Sequence, residues 1–123
     1  MRFLWWIPAA SYAVFIYWLS DQSQPPGTNL SPDKVLHFLG FGFFSLAVAM
    51  GLAKGSQVRS TLGWTLGAFI IVSVYGCLDE FHQSSVAGRT ASLGDILADS
   101  LGALVFLGLA AMVIHSRFRQ GPS

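Results

Sequence analysis

LGWTLGAFIIVSVYGCLDEFHQ, residues 62–83, is an apolar stretch that ends in a group of polar side chains. Its last five positions hold two acids, a histidine and an amide: Asp79, Glu80, His82 and Gln83. Ionisable groups beside hydrocarbon are costly and tend to mark function. The stretch therefore indicates a membrane-spanning helix that carries a polar site at one end.

The composition of the whole chain favours a bilayer over water as its main solvent. Only 11% of the 123 residues are charged and 53% are hydrophobic, whereas a soluble domain averages about 25% charged residues. The net charge of +1 and the absence of a Lys/Arg run argue against nucleic acid binding. The single cysteine, Cys77, excludes an internal disulfide and a Cys-x-x-Cys redox or metal motif.

The chain contains four apolar stretches, at residues 3–19, 35–53, 62–78 and 96–114. Each is close to the length of about 20 residues that a helix needs to cross a bilayer. Helices satisfy their own backbone hydrogen bonds in lipid, whereas separate strands do not. We therefore predict an all-α membrane protein, with a four-transmembrane-helix bundle as a single domain over residues 1–123. The predicted spans are approximately 3–20, 33–53, 62–82 and 93–115.

Basic residues are distributed unevenly among the loops, which predicts the orientation of the chain. Two of the seven, Lys34 and Arg89, lie in or beside the first and third loops. Because Lys and Arg favour cytoplasmic loops, we predict that the N- and C-termini are both cytoplasmic. All six acids then map to the outer half of the protein. The other five basic residues lie at the termini and in the second loop: Arg2, Lys54, Arg59, Arg117 and Arg119.

Three helix ends are expected to meet at the outer face: the start of the second span, the end of the third and the start of the fourth. Residues three or four apart share a helix face, so the polar side chains at each end can approach one another. A compact bundle could bring them into one pocket that opens outward. The candidate catalytic residues are His37, Asp79, Glu80 and His82. The candidate ligand-binding residues are Asp33, Lys34, Gln83, Arg89, Asp95 and Asp99.

Some of these residues could instead have a purely structural role. Ser92 and Asp95 resemble a capping box, and Asp33 lies at the start of a helix, so both acids could serve helix N-termini. Lys34 and Arg89 could extend towards lipid head groups.

Asp79 and Glu80 are not explained in this way, because the helix dipole disfavours negative charge at a helix C-terminus. We therefore expect the nearby Lys, Arg or protonated His side chains to lie close to them. Asp99 lies a full turn deeper in its helix than Asp95, and it needs a partner, a proton or water.

Three kinds of function are compatible with such a site. An enzyme could use a carboxylate–histidine pair for acid/base chemistry and a basic side chain to hold an anionic lipid head group. A binding module could recognise the same kind of ligand without chemistry. Two histidines and several carboxylates could also hold a divalent ion, but no HExxH or Cys/His spacing supports this, and we predict no metal and no cofactor.

Several short polar motifs lie along the chain: Ser20-Asp21-Gln22-Ser23, Asp33-Lys34, His37-Phe38, Tyr75-Gly76, Asp79-Glu80-x-His82-Gln83, Gly88-Arg89 and Asp95. Their combined spacing resembles that of the VanZ-like membrane proteins, over nearly the whole chain. The resemblance implies a small protein of the bacterial inner (plasma) membrane. The founding member of that family is associated with resistance to the glycopeptide antibiotic teicoplanin. The resemblance therefore implies a cell-envelope role, with membrane lipids and a lipid-linked cell-wall intermediate or a glycopeptide as partners.

Two positions depart from the family's pattern. The family often has Phe-Val-Pro-Gly-Arg where this chain has Ser85-Val86-Ala87-Gly88-Arg89, and the missing proline should loosen the turn. The family commonly has Asn at the position of Asp99, which adds a potential charge here. The prediction is thus an envelope membrane protein with an outward polar pocket; the alternative is a non-catalytic module whose charged cluster pins the helix ends.

Overall fold

The computed structural model describes residues 1–24 and 33–119, and all regular structure in these ranges is helical. A short 3₁₀ helix, Arg2–Trp6, leads directly into α1, Ile7–Ser20. Helix α2, Asp33–Met50, continues into a π-helical turn, Gly51–Gly55. The remaining helices are α3, Thr61–Gln83, and α4, Leu93–Arg119.

Four helical segments are long and apolar enough to cross a membrane: Arg2–Ser20, Asp33–Gly55, Thr61–Gln83 and Leu93–Ser116. Their mean hydropathy lies between 1.3 and 2.2. Large apolar side chains such as Leu62, Leu78 and Leu104 point outward and are more than half exposed. An apolar exterior of this kind suits lipid rather than water. The predicted all-α membrane fold with four spanning helices is confirmed.

Helix α2 packs against each of the other three helices, and its contact with α4 is the most extensive. Gly102 of α4 makes the close approach possible. A methyl group added there would lie inside van der Waals contact of the Phe38 backbone carbonyl. Small residues at helix interfaces let backbones approach in this way in membranes. The buried core beside this contact includes Phe41 and Ala103.

The chain runs up and down, so the end of α1, the start of α2, the end of α3 and the start of α4 lie together. We call this the polar end of the bundle. The loop from α3 to α4 turns at Gly88, which has φ 81°, and Arg89 N–H donates to the Val86 carbonyl across the turn at 3.1 Å. Glycine adopts positive φ without strain, so the turn forms in the absence of proline.

At the opposite end, Trp6 holds the start of the chain against the π-helical turn that follows α2. A Cβ atom added at Gly51 or Gly55 would lie 2.7 Å from the Trp6 ring. Helix α3 begins next to this contact, where the Ser60 hydroxyl accepts a hydrogen bond from the Gly63 backbone N–H at 2.9 Å. Ser60 is therefore the N-cap of α3.

Candidate functional site

The polar end of the bundle contains an unusual number of buried polar side chains for so small a protein. They form two groups, one between α2 and α4 and the other between α1 and α3. We call them the α2–α4 cluster and the α1–α3 cluster. The buried members of both are Ser20, His37, Asp79, Glu80, Gln83, Asp95 and Asp99.

Two side-chain pairs join α2 to α4, one helical turn apart, and form the α2–α4 cluster. The deeper pair is His37 and Asp99, with 2.9 Å between His37 Nδ1 and Asp99 Oδ1. The outer pair is Lys34 and Asp95, with 3.0 Å between Lys34 Nζ and Asp95 Oδ1. Because the spacings on both helices are one turn, the two pairs stack along the interface.

Glu80 reaches this cluster from α3. Its Oε2 accepts a hydrogen bond from the Ser92 backbone N–H at 2.7 Å. Its Oε1 has no hydrogen-bond partner among the described residues, and neither has Asp99 Oδ2. A Cβ atom at Gly76, one turn before Glu80, would lie 2.8 Å from Asp99 Oδ2. Glycine at position 76 therefore leaves room for the Asp99 carboxyl against α3.

The predicted capping box at the start of α4 is wrong. The Asp95 backbone N–H bonds the Ser92 carbonyl rather than its hydroxyl, at 3.0 Å. The Ser92 backbone N–H, which the Asp95 side chain would bind in a capping box, is instead bound by Glu80. The physical reason is that α3 supplies a carboxylate at this helix start, which leaves Asp95 to pair with Lys34.

The α1–α3 cluster is a chain of hydrogen bonds that starts at the last residue of α1. The Ser20 hydroxyl donates to Asp79 Oδ1 at 2.5 Å, and the Gln83 amide donates to Asp79 Oδ2 at 2.8 Å. Arg89 Nη2 donates to Gln83 Oε1 at 2.5 Å. Gln83 thus lies between the guanidinium and the carboxylate and connects them.

The sequence predicts Lys, Arg or protonated His side chains close to Asp79 and Glu80. Arg89 lies one side chain away from Asp79, and among the described residues no basic side chain donates a hydrogen bond directly to either acid. The hydrogen bonds that Asp79 accepts come from a hydroxyl and an amide, and the one that Glu80 accepts comes from a backbone N–H. The direct donors are neutral groups from the end of α1, from α3 itself and from the residue before α4. Arg89 acts on Asp79 only through Gln83.

The two candidate histidines belong to different contacts. His82 Nε2 lies 3.3 Å from Asp21 Oδ1, and the His82 ring packs on Tyr17 with centroids 4.7 Å apart. His82 therefore faces α1, whereas His37 faces α4. The residues predicted to act together in acid/base chemistry are divided between these two sides.

A cavity of about 260 Å³ lies between α1 and α2 and brings parts of both clusters together. Its apolar part is lined by residues of α1 and α2 such as Ile16 and Phe43. Its polar part is lined by Ser20, Asp33, His37, Asp79, Gln83 and Arg89.

A second, more polar cavity of about 470 Å³ adjoins the first. Asp33 and Arg89 line both cavities, and Lys34, Ser92 and Asp95 also line the second. An apolar groove and a charged pocket therefore lie side by side.

The sequence model of the VanZ/LLP1 family matches residues 3–114. The chain belongs to the VanZ/LLP1 family. The match spans the four membrane helices and both clusters, so it confirms the resemblance drawn from the polar spacing. No curated protein and no solved structure matches this VanZ/LLP1 chain.

Ser20 and Tyr17 are the site residues of this VanZ/LLP1 protein that sequence reasoning missed. Ser20 donates to Asp79, and Tyr17 packs on His82. The available signal was the polar segment that begins at Ser20 directly after the first span, which the family resemblance included without a role.

Proposed function

We propose that this VanZ/LLP1 protein binds a lipid-linked intermediate of the bacterial cell envelope at the outer face of the inner membrane. The observation that carries the proposal is that the apolar groove between α1 and α2 and the polar pocket at the bundle end share Asp33 and Arg89 in their walls. A ligand with a hydrocarbon tail and a charged head matches both parts at once.

The apolar part suits the tail of such a ligand. Tyr12, Ile16, Leu36 and Phe43 line it from two neighbouring helices. Phe43 is 53% exposed, so the groove wall extends onto the lipid-facing surface. A hydrocarbon chain can therefore lie in the groove without leaving an apolar environment.

The polar part suits an anionic head group. Arg89 lines both cavities, and a guanidinium binds phosphate oxygens through paired, charge-assisted hydrogen bonds. The side chain of Lys34 is 61% exposed at the second cavity, so a second positive charge is accessible there. The hydroxyl and amide of Ser20 and Gln83 offer further hydrogen bonds to a head group.

The distribution of basic residues supports an outward-facing site. Both termini and the second loop carry most of the Lys and Arg and lie away from the polar end. By the positive-inside rule these parts are cytoplasmic. The polar end then faces the outside, where lipid-linked cell-wall intermediates are used and where glycopeptides act.

A second candidate function is enzymatic, and the His37–Asp99 pair favours it. A buried carboxylate that holds one ring nitrogen orients the imidazole, so that the other nitrogen can accept a proton. His37 also lines the cavity that would hold the head group. Such a pair could act as general base in hydrolysis or transfer at the head group, with Arg89 stabilising the developing negative charge.

Native mass spectrometry of the purified protein with polyprenyl phosphate and polyprenyl pyrophosphate tests the binding function. Arg89→Gln should weaken retention of these lipids about tenfold, a loss of ~1.4 kcal/mol. Arg59→Gln, in the second loop, is the matched control and should bind as the unaltered protein does. If the unaltered protein retains neither lipid, the two polar clusters serve only to hold the helix ends together, and the proposal is wrong.

Turnover separates the two candidate functions. If the protein is an enzyme, it should release a product from a lipid-linked substrate, and His37→Gln should abolish release while lipid retention persists. Retention without product in the unaltered protein identifies a binding module.

A further inference from the structure

We propose that Asp33, His37 and Asp95 form a binding site for a divalent cation of the class that accepts mixed imidazole and carboxylate ligands, such as Mn²⁺ or Zn²⁺. The inference goes beyond the proposed lipid binding and does not depend on it. Sequence reasoning predicted no metal because no single helix carries a ligand motif. Here α2 supplies two of the ligands and α4 supplies the third.

The three residues lie close enough to share one ion. One ligand atom from each lies within 4.8 Å of the others. Ligand atoms about 2.0–2.2 Å from a metal are at most about 4.4 Å apart, so a small side-chain movement brings them into range. Asp33 is exposed, and its side chain at the start of α2 can make that movement.

His37 is held as a metal-binding histidine usually is. The carboxylate of Asp99 is fully buried and engages Nδ1 at 2.9 Å, which leaves Nε2 for a ligand. Histidines that bind metals commonly donate their other N–H to a carboxylate, which fixes the ring and raises its basicity. Asp99 would thus be a positioning residue rather than a ligand.

Glu80 provides an independent indication of a cation site. It is 2% exposed, and its Oε1 has no hydrogen-bond partner among the described residues. Its Oε2 is fixed on Ser92, which lines the same cavity as Asp33 and Asp95. The Glu80 carboxylate also lies close enough to His37 and Asp95 for their charges to interact. A buried oxygen without a partner is costly, and a cation in the site would offset that cost.

The charge balance at the polar end points the same way. All six acids of the chain lie there, against two permanently basic side chains, Lys34 and Arg89. Lys34 pairs with Asp95 through Oδ1, and Arg89 donates to an amide. The segment 25–32 contains no charged residue, so it adds no counter-charge. Four of the six acids are buried: Asp79, Glu80, Asp95 and Asp99. Buried carboxylates that outnumber the nearby basic side chains need a cation or protons.

Cation binding to the tag-free, chelator-treated protein in detergent tests the proposal, with Mn²⁺ and Zn²⁺ as probes. Loss of the free Mn²⁺ signal in electron paramagnetic resonance measures binding directly, and competition with Zn²⁺ shows that both ions use one site. The unaltered protein should bind one equivalent. His37→Gln and Asp33→Asn should each weaken binding at least tenfold.

Matched substitutions at other positions serve as controls. His82→Gln and His115→Gln remove the other two histidines of the chain, and Asp21→Asn removes another exposed acid at the same end. All three should keep the affinity of the unaltered protein. Asp33→Asn changes an exposed side chain, so the test survives if His37→Gln fails to fold.

Three outcomes would overturn the site. The unaltered protein could bind no ion. Binding could be lost equally in the His82 or His115 variants, which would place the ion elsewhere. Binding could also persist in both Asp33→Asn and folded His37→Gln. None of these outcomes bears on lipid retention, so the lipid and cation proposals can fail separately.

Discussion

His37 and Asp99 form a buried pair across the interface of α2 and α4, with 2.9 Å between His37 Nδ1 and Asp99 Oδ1. Asp99 is completely buried. Its other oxygen, Oδ2, lies where a side chain at position 76 of α3 would otherwise be. The pair therefore joins three helices at one point of the core. Its stability effects can be measured one substitution at a time.

We expect Asp99→Asn to keep the fold and Asp99→Ala to weaken it. Asparagine retains an acceptor for the His37 N–H, so the free energy of unfolding should change by less than about 1 kcal/mol. Alanine leaves the buried imidazole without its partner and should cost about 1–3 kcal/mol. Thermal unfolding in detergent, followed by circular dichroism, measures both. Equal losses in the two variants would show that the hydrogen bond to His37 contributes little.

Gly102→Ala should destabilise the protein strongly, because the new methyl group meets the backbone carbonyl of Phe38. Overpacking of this kind costs about 1–3 kcal/mol, and separating α2 from α4 would also disturb the His37–Asp99 pair. Gly108→Ala on the same helix is the control, since nothing lies within 4 Å of an added Cβ there. In denaturation experiments, Gly102→Ala should have a clearly lower free energy of unfolding than Gly108→Ala. Similar stabilities would mean that α2 and α4 can move apart without cost.

Ser20→Ala should loosen α1 from α3. The hydroxyl donates to buried Asp79, and its removal leaves one carboxylate oxygen short of a donor, at a cost of about 1–3 kcal/mol. Ser84→Ala is the control, because the exposed Ser84 hydroxyl bonds the nearby Phe81 carbonyl within its own helix turn. Thermal unfolding in detergent again provides the measurement. A loss in Ser84→Ala as large as in Ser20→Ala would contradict the assignment.

The orientation in the membrane can be tested with two exposed loop serines in a Cys77→Ser background. Ser85→Cys, in the loop after α3, should react with a membrane-impermeant maleimide added to intact cells or spheroplasts. Ser56→Cys, in the loop after the π-helical turn, should react only after the membrane is opened. Both positions are exposed, so a difference in labelling reports sidedness. The reverse pattern would place the polar end in the cytoplasm.

The sequence alone predicted the helical fold and the residues that gather at the polar end, because hydrophobic length and charge placement are local properties. It did not predict which of them touch. In lipid both the core and the outer face of a helix are apolar, so the pattern does not fix how the helix is rotated about its axis. That rotation turns His82 to α1 and His37 to α4, although both lie at the same end.

For the same reason, the sequence did not show which polar groups on different helices form hydrogen bonds with each other. The bond from Ser20 to Asp79 and the bond from Ser92 to Glu80 each depend on two helices packing in one particular register. The close approach at Gly102 likewise becomes visible only when Phe38 is placed against it. The resemblance to a family located the polar residues but carried no information on these pairings.

The attachment of α1 has a consequence for how a ligand would arrive. The Tyr75 hydroxyl donates to the Ala13 carbonyl and the Ser20 hydroxyl donates to Asp79, so both bonds hold α1 to α3. Trp6 holds the start of the chain against the π-helical turn after α2. On its side towards α2, α1 packs through Tyr12 on Phe44 and borders the cavity of about 260 Å³. We therefore expect lateral entry, in which a lipid slides in from its own leaflet between the two helices while its head stays at the membrane surface.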